Sequence, residues 1–202
     1  MTVARFVDEL DWGFGWISPE RPRLQLASHA LVADGRVWIV EPTDAEGVDE
    51  RIRSLGEPAG VLQLLDRHNR SCAEFAQRLG VAHHRVPFDG VPESPFEIVP
   101  VVRRKRWQEV ALWWPARRVL VCADALGTVP HVYALGGEPI GVHPLLRLTP
   151  PSRLGRFDAE HVLCGHGTGV HDDAGPAVRE ALELSRRRLV RLVLELPRAL
   201  KA

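Results

Sequence analysis

Between Gly60 and Gly80 the chain reads GVLQLLDRHNRSCAEFAQRLG, the stretch that most restricts how its 202 residues can fold. GVLQLL is a short, near-continuous apolar run, the pattern of a strand buried on both faces, so the fold must cover each side of the sheet that contains it. SCAEFAQRLG then reads as a helix, with Ser71 as N-cap, Glu74 three residues on as in a capping box, and Gly80 as the C-terminal stop. Between them stand only Asp66, Arg67, His68, Asn69 and Arg70. Ionisable groups crowded between a buried strand and a helix start mark a place where side chains can face a cleft.

The flanking segments fit the same layered plan. LQLASHALVADGRVWIVEP gives two β-rich runs joined at Asp34-Gly35, a dipeptide suited to the positive φ angles of a tight hairpin. TDAEGVDERIRSLG carries a helical pattern that ends at Gly56. Residues 81–102 collect Pro and Gly among short apolar segments, as loops and edge strands do. EVALWWP and RRVLVCADALG form a second strand pair about a turn at Pro115-Ala116. Residues 127–156 read as loop with one short helix near HPLLRL, HVLCGHGTGV as a last strand, and AGPAVREALELSRRRLVRLVLEL as a long helix with Pro in its first turn. A chain of this length suits one domain, residues 1–202.

Bulk chemistry removes several classes of function. The 26 basic and 26 acidic side chains cancel, so nothing marks a nucleic-acid or anionic-membrane surface. No apolar stretch reaches the roughly 18 residues a membrane span needs, and the N-terminal MTVARFVDEL does not read as a signal peptide. Three cysteines, Cys72, Cys122 and Cys164, without a CxxC pair, suggest free thiols in a reducing cytoplasm. The expected partner is a small-molecule ligand, with a homodimer through the apolar C-terminal helix and the Trp-rich strand as a further expectation.

Three strand-to-loop junctions carry the polar residues that invite chemistry: Asp66 with His68, Asp124 in VCADALG, and His166 in LCGHGTGV. Each has a plain alternative. Asp66 and His68 suit a hydrogen-bonded structural pair, Asp124 a salt bridge with Arg70 or Lys105, and the glycines around His166 a tight turn. Cys122 and Cys164 lie two residues before Asp124 and His166, and Cys72 four after His68, which invites thiolate ligation or a nucleophilic role, against the ordinary burial of cysteine.

In order and spacing these segments resemble the metallo-β-lactamase fold superfamily: an opening hairpin ending in WIVEP, an HxHxDH-like motif between strand and helix, a strand ending in a GDAL-like Asp, and a strand ending in GHG before a C-terminal helix. The resemblance runs along about the whole chain and implies a four-layer αββα sandwich. It also implies a metal site, and here the motif is altered. Its first His falls on Asp66, its second is kept as His68, its Asp falls on Arg70 and its last His on Ser71. The family's next His falls near Lys105, its bridging Asp is kept as Asp124, and its final His as His166.

The resemblance therefore gives His68, Asp124, His166 and Asp66 as candidate metal ligands, and Asp66, Arg70 and Lys105 as candidate catalytic or substrate-holding groups. A guanidinium beside Asp124 neutralises the carboxylate and repels a divalent ion. The expectation is an eroded site without a cofactor, in a protein that is not a standard two-metal hydrolase. The alternative is a hydrolase of an ester, amide or thioester with a single zinc, iron or manganese ion.

Overall fold

The computed structural model describes residues 3–68 and 70–189. Asn69, and the part of the expected C-terminal helix beyond residue 189, lie outside the described residues.

A first sheet has the order β1 (Arg5–Leu10), β2 (Gly13–Ile17), β3 (Ala27–Ala33), β4 (Arg36–Val40), β5 (Glu57–Gln63) and β6 (Ala82–Arg85). The Asp34-Gly35 turn forms as expected: both residues have positive φ, 52° and 74°, and Ala33 pairs with Arg36 across it. After this antiparallel half, β4, β5 and β6 run parallel, linked by helices α1 (Val48–Leu55) and α2 (Cys72–Leu79). The second sheet contains β7 (Glu97–Arg104), β8 (Trp107–Trp114) and β9 (Val119–Cys122). Following a two-residue ribbon of β10 (Leu126–Gly127) and β11 (Gly141–Val142), β12 (His161–Cys164) returns parallel to β9 and gives the order β12-β9-β8-β7. Helix α3 (Ala174–Leu184) packs beside β12 and β11.

Period-two alternation explains why the apolar strands are so continuous. Along β4, Trp38 and Val40 enter the core between the sheets, whereas Val37 and Ile39 face α1 and α2. In β5, Leu62 and Val61 divide the same way. Ile52 of α1 and Phe75 of α2 are fully buried against this outer face, each contributing about 2 to 3 kcal/mol by burial. On the opposite side Val178, Ala181 and Leu182 of α3 cover the second sheet, which completes a helix–sheet–sheet–helix order. The Trp-rich strand is interior: Trp114 is buried, and Trp113 packs at a tilt against Phe157 with ring centroids 4.9 Å apart.

The first helix ends at Gly56 as expected, and one local expectation, the capping box at Ser71, is corrected. The first helix starts at Val48 with Gly47 as N-cap at φ 79°, because Thr43 is engaged elsewhere, its carbonyl accepting from Trp16 Nε1 and its amide donating to Ser28 Oγ. Ser71 is the N-cap of α2, but its side chain makes no capping hydrogen bond, so the box with Glu74 does not form. Its backbone N–H instead donates to the Pro42 carbonyl. Gly80 ends the helix as expected, in the left-handed region at φ 71°.

Candidate metal centre

Both sheets contribute to one cluster. Pairing ends at Gln63, and the chain then makes a tight turn, closed by His68 N–H donating to the Leu65 carbonyl, that returns His68 toward the second sheet. Asp124 follows β9, and His166 follows β12, whose parallel neighbour is β9. His68, Asp124 and His166 offer one ligand atom each, all within 4.8 Å of one another. His68 Nε2 lies 2.8 Å and His166 Nε2 3.0 Å from the same oxygen, Asp124 Oδ1.

The other nitrogen of each imidazole is also engaged. His68 Nδ1 donates to Glu41 Oε2 at 2.8 Å, and His166 Nδ1 donates to the Leu24 carbonyl at 2.8 Å. Tyr133 stacks on the His166 ring, with centroids 5.8 Å apart. Both rings are thus fixed in orientation, with Nε2 pointing inward.

Two buried glutamates hold the loops that present these groups. Glu41, next after β4, accepts the N–H of Leu64 at 2.7 Å and of Leu65 at 3.1 Å through Oε1. Glu109, in β8, accepts the N–H of Asp124 at 2.9 Å and of Ala125 at 2.7 Å, while its second oxygen accepts Trp107 Nε1–H. In both cases a carboxylate satisfies two successive amides that leave a strand end and would otherwise be buried without partners. Sequence reasoning identified neither residue as part of the site. For Glu41 a signal existed in WIVEP; Glu109 carries none beyond an acid inside an apolar strand.

Burial opposes the charged form of His68, yet the Glu41 carboxylate, with hydrogen bonds to Asp124 and Glu41, raises its pKa to about 9. Burial likewise opposes ionisation of Asp124, but hydrogen bonds from His166 and His68 outweigh it and hold the carboxyl far below the usual range. Glu109 moves the other way: burial and the neighbouring Asp124 charge push it up to about 7. His143, edge-on to Trp107 with centroids 4.9 Å apart, is pushed by burial down to about 4.

The remaining candidates are placed apart from the cluster. Asp66 does not join the cluster: its N–H donates to the Gln108 carbonyl, its own carbonyl accepts from Arg85, and its carboxylate is not among the three converging ligands. Arg70 does not pair with Asp124. Its guanidinium, 4% exposed, donates to the carbonyls of Ala27, Glu41 and Gly165 and lies 3.5 Å from Glu41 Oε2. The cation beside Asp124 is Arg67, with Nη2 3.7 Å from Oδ2. Lys105 sits on the exposed turn between β7 and β8. Cys72, Cys122 and Cys164 are free and buried, and burial raises each thiol pKa well above its ordinary value, which keeps them protonated. A cleft of about 260 Å³, lined in part by Arg21, Arg67, His68 and Arg70, reaches the cluster at His68.

No protein-family profile matches the sequence, and no curated protein does. Solved structures do match the fold. The crystal structure of DIM-1 metallo-β-lactamase is similar with a TM-score of 0.61 and 14% identity, over 92% of this chain and 96% of that one. A structure of TMB-1 is similar with a TM-score of 0.57 and 13% identity, over 91% and 98%. At such identities the likeness establishes architecture: the chain has the metallo-β-lactamase fold.

Proposed function

We propose that this protein is a hydrolase using one divalent metal ion, held by His68 Nε2, a carboxylate oxygen of Asp124 and His166 Nε2, to cleave an ester, amide or thioester. The observation that carries this reading is how the two imidazoles are used. Each has Nδ1 taken, by Glu41 or by the Leu24 carbonyl, and each aims Nε2 at Asp124. Metal-ligating histidines are oriented in this way by a partner on the second nitrogen. Two imidazoles and a carboxylate also suit the donor preferences of zinc, iron or manganese, and three protein ligands leave room for substrate. Bound there, such an ion supplies Lewis acidity, polarising a carbonyl oxygen and acidifying a water.

The chain's own contribution is orientation and charge. Glu41 fixes the His68 tautomer, Glu109 holds the backbone of Asp124, and Tyr133 covers one face of His166. A two-metal arrangement lacks support, since position 71 is Ser, Arg70 is bound to Glu41 and three carbonyls, and Arg67 brings positive charge to Asp124. The motif alone favours a site without metal; the convergence of both Nε2 atoms is what favours one ion.

A second reading, a metal-free and non-catalytic protein, rests on the imidazolium of His68 between two carboxylates, which balances charge without an ion. Elemental analysis of protein purified without chelators or a metal-affinity column separates the two. About one equivalent of zinc, iron or manganese, lost in His68→Ala, is expected. Protein that retains no metal after equilibration with each of the three ions in turn belongs to the second reading.

A further inference from the structure

Among the described residues two cations of the cleft, Arg21 and Arg67, have side chains with unused hydrogen-bonding capacity, and of these Arg67 stands beside the cluster, next to Asp124. Its guanidinium carbon stands 3.9 Å over the centre of the Trp107 ring, and its nearest carboxylate oxygen, on Asp124, is 3.7 Å away, too far for a hydrogen bond. Among the described residues no acceptor takes any of its side-chain N–H groups, and the side chain is 40% exposed. A guanidinium held over an indole has already lost part of its rotamer freedom, so a ligand that binds it meets less further ordering cost. The other charges around the cleft do not occupy it. Arg70 is committed to Glu41 and to carbonyls, and Asp44 to Arg78 at 2.9 Å. Arg21 and Glu20 lie at the same cleft.

The geometry points to Arg67 as the anchor for a carboxylate on the substrate, so that the site takes acyl compounds carrying a second, anionic end. This rests on the hydrolytic reading above for where the acyl carbon sits, but not for the binding of the anion. A monoanion fits better than a phosphate dianion, because Asp124 is already within 4 Å of the same guanidinium and Glu20 adds a second negative charge to the cleft. Arg67 then holds the anionic end of the ligand close to the cluster, since His68 lines the same cleft and Asp124 lies 3.7 Å from the guanidinium. A bidentate, charge-assisted pair at a partly exposed site gives roughly tenfold discrimination against a neutral analogue.

Two esters test this on zinc-loaded protein: 4-nitrophenyl acetate, which is neutral, and mono(4-nitrophenyl) glutarate, which carries the carboxylate. The expected result is a kcat/KM ratio of roughly ten or more in favour of the glutarate ester, close to unity in Arg67→Met and partly retained in Arg67→Lys. Equal kcat/KM for the two esters in the parent protein, or a preference that survives Arg67→Met, overturns the assignment. If neither ester is cleaved above background, the hydrolytic reading is what fails, and calorimetric titration with glutarate decides the anion site alone. Glutarate binding lost in Arg67→Met upholds it; no binding to the parent protein, or tighter binding of inorganic phosphate, overturns it.

Discussion

Glu41 and Glu109 do the same job in opposite sheets, each receiving two adjacent amides at the point where a strand gives way to a loop, yet their pKa values are shifted in opposite directions. Glu41 faces His68 and Arg70, which outweigh its burial and lower its pKa, whereas Glu109 faces Asp124 and is raised to about 7. The pH behaviour of the metal-free protein follows. His68 goes from an ordinary 6.5 to about 9 on folding, so the native state binds its proton more tightly than the unfolded chain. That contribution is complete below pH 6.5 and disappears as pH rises through 9, amounting to about 3 kcal/mol. Chelated protein is therefore expected to lose unfolding free energy between pH 7 and 9 in denaturant titrations, and His68→Gln to flatten that slope. A profile of the parent protein that is level across this window would remove the imidazolium from the account.

At the scale of elements, the junction from β5 to α2 shows what sequence can and cannot deliver. The strand, the helix and the Gly80 stop were legible because each depends on local rules: alternation, helical spacing and the tolerance of glycine for positive φ. Capping by Ser71 was not delivered, because the backbone of Ser71 is drawn to the Pro42 carbonyl by tertiary pairing. Two substitutions separate these cases. Ser71→Ala should change stability by less than about 0.5 kcal/mol, against roughly 1 kcal/mol for a working N-cap. Gly80→Ala should cost about 1 kcal/mol for a left-handed backbone. Thermal melts of both variants check the contrast. The same limit explains the site: three of the four ligands the resemblance implied, His68, Asp124 and His166, converge, but the partners that orient them are 15 to 142 positions away in sequence and join only when the sheets close. Arg67, and not the expected Arg70 or Lys105, stands beside Asp124 for a similar reason. The turn closed by His68 sends residue 67 to the cleft, while residue 70 lies under Glu41.

Across the whole molecule, one ligand comes from the first sheet's loop and two from the second's, so occupancy of the cluster depends on both sheets being in place. An ion that binds only this closed form must stabilise it, by about 2.7 kcal/mol at free concentrations a hundredfold above Kd. Melting in zinc buffers should show a Tm that climbs with free zinc in the parent protein and stays constant in Asp124→Asn. A Tm indifferent to zinc, iron and manganese would leave the cluster as a polar network alone.

The guanidinium of Arg70 reaches carbonyls on β3, at the end of β4 and beyond β12, which means that it fastens the two sheets to each other with no ion present. Small zinc domains cannot close until their metal arrives. If the cluster holds an ion as proposed, the order is expected to be the reverse: Arg70 joins the sheets through carbonyls alone, so chelated protein should keep a cooperative unfolding transition and take up metal afterwards.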